Sequence, residues 1–262
     1  MDIIVRNFFR LVRSGALSEQ DDIEPMSHFK WQRLGQMVRA QNVTAIALKG
    51  IGNLLPGEWT NIPDDFLEGD ATADKAKTAS LSNTLLNHRL KGIVNGELHS
   101  IDTNVASLNV LNIIVGTVST MLNRGMMLKG ILQLGSYLRN DGDKVDFVKL
   151  DRWLGKLHLR RMAQLQGSML ISVFQFEKDE IPFVQRLEPA AYNLVLRSVA
   201  HTAADTAEDW HFRQSRSGFV TNNSSLLRRN LRRSLRYLAY APIETTSNYF
   251  NNFTRSLQEI EE

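Results

Sequence analysis

Apolar residues in this 262-residue chain recur at spacings of three and four, and no stretch alternates apolar with polar side chains. That regularity confines the fold to helices packed stripe against stripe. An amphipathic helix buries one face at a period of 3.6, whereas a half-buried strand needs a period of two. Ile4, Phe8, Leu11 and Val12 mark a first stripe, with Arg6, Arg10 and Arg13 on other faces. Trp31, Leu34 and Val38, then Ile46, Leu48, Ile51 and Leu55, predict a helical hairpin over 28–40 and 43–55, closed by Pro56-Gly57. Pro63 with Asp64-Asp65 reads as a fresh helix start, and 70–98 is helix-compatible but weakly apolar. The most apolar pair is 104–122 and 126–139, turning near Gly125. Asn140-Asp141-Gly142-Asp143 is a turn, and Asp146 caps a helix with Val148, Leu150, Trp153, Leu154 and Leu157 on its face. Further helices are expected over 159–174, from Pro189 to about Phe212, over an arginine-rich segment halted by Pro242, and over 245–260. The fold class expected is all-α, a single irregular bundle of about eight to ten helices. It forms one domain over 1–262, with an N-terminal hairpin region at 1–60 and a main bundle at 64–262.

Composition narrows the setting. With 31 Lys and Arg against 28 Asp and Glu, the chain is no polycation, so any basic surface must come from local concentration. The absence of cysteine excludes disulfides, thiolate metal sites and cysteine nucleophiles, and fits a reducing compartment. The first residues lack the uninterrupted apolar core of a signal peptide. The greasiest segment, 105–122, is broken by Ser107, Asn109, Asn112, Thr117, Ser119 and Thr120. A membrane span needs about 20 mostly apolar residues, so a buried helix is expected there. The expected location is cytoplasmic, with no membrane span.

Basic charge concentrates in SSLLRRNLRRSLRYLAYAP, residues 224–242. At about 100° per residue Leu227, Leu231, Leu235 and Leu238 share one narrow arc. Arg228, Arg229, Arg232, Arg233 and Arg236 fall on the opposite arc. The expectation is a helix glued to the core by its leucines, presenting its arginines as the partner-binding surface. A protein partner is expected. Nucleic acid, contacted through the basic 226–236 helix, is the alternative. Attachment to an anionic membrane surface requires the leucine face to be free rather than packed.

Signatures of chemistry are sparse. His201, Asp205 and Glu208 stand at i, i+4 and i+7, a weak candidate metal set without a second ligand cluster to complete it. Asp141, Asp143 and Asp146 fail as a calcium loop because its sixth and twelfth places hold Asp146 and Arg152. No nucleophile elbow, phosphate-cradling loop or dinucleotide fingerprint is present. No catalytic residue and no cofactor is assigned.

Two stretches carry a resemblance. Residues 8–56, from FFRLVRSGAL through WQRLGQMVRAQNVTAIALKGIGNLLP, resemble the N-terminal helices of the bacterial uncharacterised nucleotidyltransferases. Residues 126–183, beginning MMLKGILQLGSYLRNDGDKVDF, resemble the helical region that follows the catalytic core in that family. The arginine helix is similar to its basic tail. The central part departs from the family pattern: Leu48-Lys49-Gly50 has no carboxylate pair after it, and Gly142 separates Asp141 from Asp143 inside a turn. The resemblance therefore implies a bacterial, nucleotidyltransferase-like helical shell without the catalytic core, a non-catalytic binding protein. A divergent enzyme of that family is the alternative.

Overall fold

The helical periodicity is realised among the described residues. The computed structural model describes residues 2–54, 62, 63, 66, 79–200 and 224–261, with the side chains of 224–229 and 255–261 outside that description. In chain order the helices are α1 (Ile3–Leu17), α2 (His28–Ala40), α3 (Thr44–Gly52), α4 (Thr84–Leu98), α5 (Val105–Asn123) and α6 (Leu128–Asp141). They continue as α7 (Phe147–Lys156), α8 (Arg160–Phe174), α9 (Ala191–Ala200), α10 (Ser224–Leu238) and α11 (Pro242–Glu261). The class is all-α. Eleven α-helices among the described residues is slightly more than the eight to ten expected. Within the expected 70–98 stretch α4 begins at Thr84, and residues 70–78 lie outside the described residues.

α5 lies at the centre of the bundle. Val110, Leu111, Ile114, Val115, Val118 and Met121 are completely buried, and α6, α7, α8 and both C-terminal helices pack around it. It is the one described helix long and apolar enough to cross a membrane by length and composition, and more than half of that window is buried inside the protein. Asn104, at its start, accepts from the Ser107 backbone N–H at 2.7 Å, and Asp146 caps α7 in the same way through Lys149 at 2.9 Å.

α1 packs across α3 at a point where no side chain intervenes. A Cβ on Gly50 would lie 3.2 Å from the Gly15 nitrogen and nearer still to the Leu11 carbonyl oxygen. Gly50 therefore exists for close helix approach. The arginines on the other faces of α1 are gathered by the acidic loop that follows it. Arg6 and Arg10 both reach Glu24 at 2.8 Å, and Arg13 reaches Asp21 at 2.8 Å. Asn7, completely buried, exchanges two hydrogen bonds with the Glu24 backbone.

A second internal amide joins three helices. Gln41, just past the end of α2, donates to the Ser198 carbonyl in α9 and accepts from the backbone N–H of Leu128, both at 3.0 Å. Leu128 opens α6, so its N–H is one of the donors a helix start leaves without an internal partner. The bond across the bundle satisfies it.

Candidate interaction surface on the C-terminal hairpin

α10 and α11 form a hairpin whose second helix starts on Pro242, a residue suited to a first helical position. The expected orientation of α10 is not the one observed. Asn230, Arg233 and Tyr237 face the core, and Arg233 is only 5% exposed. The leucines stand out instead: Leu231 is 43% exposed, Leu235 58% and Leu238 36%. Arg233 is thus withdrawn from the outward arginine face.

The physical reason lies at the end of α5. A helix leaves its last carbonyls unpaired and its C-terminus partially negative. The Arg233 guanidinium donates to the carbonyl of Asn123, the last residue of α5, at 2.6 Å. The Asn123 side chain accepts from Asn248 and Asn252 of α11, each at 2.9 Å. Complementary chemistry meets the start of α4. The buried Glu244 carboxylate accepts from the backbone N–H groups of Ser82 and Asn83, immediately before Thr84 opens that helix. Asn83 caps α4 through Leu86 at 2.9 Å and donates to Ser247 at 2.9 Å. So a cation seats on one helix C-terminus and an anion on another helix N-terminus.

A third anchor sits on the turn between the two helices. Arg161, in the first turn of α8, donates to the Ala239 carbonyl at 3.0 Å and lies over the Tyr240 ring at 5.1 Å. It also reaches Glu188 at 3.4 Å, and Gln164 donates to the same carboxylate at 2.8 Å. Burial, reinforced by the Glu188 charge, pushes the Tyr240 phenol above its ordinary range. Arg161, Gln164 and Glu188 border an open depression of about 350 Å³ lined also by Asp151, Arg160 and Arg186. Arg160 forks onto Asp151 at 2.7 and 2.9 Å.

With the inner side of α10 committed to the body, its remaining surface divides in two. On the helical wheel the exposed leucines centre about 130° from the core-facing residues, and Arg232 and Arg236 lie about 110° further round. Arg232 is exposed and Arg236 half-buried. Arg228 and Arg229 belong to the helical span, but their side chains lie outside the described residues. α11 adds exposed Ile243 and Phe250 on the face turned away from Glu244 and Asn248.

Other candidates resolve as structure or fall outside. His201, Asp205 and Glu208 lie outside the described residues. Among the described residues no group of three or more His, Asp or Glu side chains is placed to hold a metal ion. Asp141 ends α6, paired with Lys144 at 2.6 Å.

Sequence reasoning missed the polar seam, although a signal was there. Asn230, Arg233, Tyr237, Ala241, Glu244, Asn248 and Asn252 recur at three- and four-residue spacing across both helices. Asparagine inside a helix competes with its own backbone hydrogen bonding, and such a position asks for a compensating partner.

The fold and this surface define an all-α bundle that displays a C-terminal hairpin. No protein-family model, curated protein or solved structure matches the chain.

Proposed function

We propose that this chain is a non-catalytic binding protein that docks onto an apolar and anionic partner surface through the outer side of α10. The observation that carries the reading is the outward leucine stripe beside the arginines. Exposed leucines at regular helical spacing, flanked by guanidiniums, match a surface that is at once apolar and anionic. Nucleic acid supplies phosphates for the arginines but no counterpart for Leu231, Leu235 and Leu238 on the same helix. The similarity of 8–56 and 126–183 to the helical flanks of nucleotidyltransferases supports a bacterial, cytoplasmic shell of that type. Asp141 and Asp143 stand at the end of α6 and in the turn that follows it.

The test is capture by tagged full-length chain from a lysate separated into soluble protein, membrane and nucleic-acid fractions. Two variants run alongside: Leu231→Ser with Leu235→Ser, and Arg229→Glu with Arg232→Glu and Arg236→Glu. A saturable species lost in both variants is the expected result. An empty eluate, or capture that neither variant changes, overturns the reading.

A further inference from the structure

Resting on that docking surface, we infer that its occupant is the headgroup region of an anionic lipid bilayer. α10 is the most amphipathic of the described helices and on average the least apolar. That combination separates interfacial helices from helices that pack in cores or span membranes. From Ser224 to Ile243 the chain holds five arginines and no aspartate or glutamate, and of those whose side chains are described Arg232 is exposed while Arg233 is turned into the seam. The leucine and arginine stripes are neighbours on the outward side. Leu231, Leu235 and Leu238 can enter the acyl boundary while Arg232 lies along the phosphates, its alkyl stem over the apolar layer.

A protein seam fits these stripes less well. α10 is 15 residues long, about two heptads, short of the roughly three to four that define a coiled-coil seam. The leucines form a convex ridge on one helix, and a bilayer needs no matching register. Phe250 and Ile243 of α11 are exposed as well. The docking is peripheral: the seam to Asn123, Ser82 and Asn83 keeps the inner side of the helix on the protein.

The test is sedimentation of the full chain with vesicles of phosphatidylcholine alone or mixed with phosphatidylserine. Binding to the mixed vesicles only, weakened by added salt, is expected. Each basic residue near such a surface contributes about five-fold in affinity, so Arg232→Gln should weaken binding roughly five-fold. Leu231→Ser with Leu235→Ser, at unchanged melting temperature, should weaken it about ten-fold or more. A Leu235→Trp variant gives a reading independent of truncation: its added emission should move to the blue on mixed vesicles. No sedimentation, equal sedimentation with phosphatidylcholine alone, binding untouched by the leucine substitutions, or an unmoved tryptophan each overturns the inference. A leucine-dependent protein captured from the soluble fraction, with vesicles ignored, leaves the docking reading standing and removes the lipid. Failure in both experiments removes both.

Discussion

If α10 seats by its polar side, the ranking of substitutions along it is the reverse of what hydrophobicity dictates. Consider Leu235→Ala and Arg233→Ala, two changes to the same good helix former, so that propensity hardly distinguishes them. A fully buried leucine is worth about 1.5–3 kcal/mol in burial, and truncating one in a closed core costs about 2–5 kcal/mol. Leu235 is 58% exposed. Less than half of its area leaves water, so its truncation should cost about 1 kcal/mol or less. Arg233 is buried and donates to the Asn123 carbonyl at 2.6 Å. A hydrogen bond from a charged donor is worth about 1.5–3 kcal/mol, and its loss also uncovers the end of α5. Urea unfolding of both variants, with unchanged slope, measures the two costs directly. The expected order is Arg233 above Leu235. A Leu235→Ala cost of about 3 kcal/mol with Arg233→Ala near zero would mean that the leucines, not the arginine, face the core.

Other perturbations probe the body. Gln41→Leu removes the acceptor of the Leu128 N–H and the donor to the Ser198 carbonyl. Each buried group left unpaired costs about 1–3 kcal/mol, so thermal unfolding should move down by several degrees, and an unchanged midpoint would contradict the bridge. Gly50→Ala places a methyl 3.2 Å from the Gly15 nitrogen and against the Leu11 carbonyl. It should destabilise despite alanine's better helix propensity, whereas Gly52→Ala, with open space around it, should be neutral or stabilising in the same denaturation assay. The hydrogen bond from Arg6, aided by the Arg6 and Arg10 charges, holds the Glu24 carboxyl down at about 2. A depressed carboxylate stabilises the fold above its ordinary value and loses that contribution as pH falls through the folded value. The wild type should therefore lose stability between about pH 4.5 and 2 relative to Glu24→Gln, and parallel pH profiles of the two would refute the pairing.

The boundaries of the apolar helices were legible because their stripes are redundant. α5, α6 and α8 each carry five or more buried apolar positions, so a single polar residue does not blur the period. The Asp146 cap was legible for a similar reason, its bond being local to three residues. The seating of α10 was not. Leu227, Leu231, Leu235 and Leu238 read as the buried side because burial of leucine is the stronger prior when only one helix is in view. The competing demand came from Asn123, more than a hundred residues earlier, whose carbonyl needs a donor only once α5 has ended beside α10. Pairings set by helix ends across the chain show locally only as a polar recurrence at three- and four-residue spacing, which does not name the partner. The Gln41 bridge escaped for the same reason, its partners lying in α6 and α9.

The three-sided character of α10 separates two jobs that a two-sided helix must share. The anchors described here, Asn230, Arg233 and Tyr237, lie on its inner side. The exposed Leu231, Arg232 and Leu235 can therefore drift under selection without unseating the helix. The body acts as a mount with a fixed socket, and the displayed face can be exchanged, in nature or by design, as an independent part.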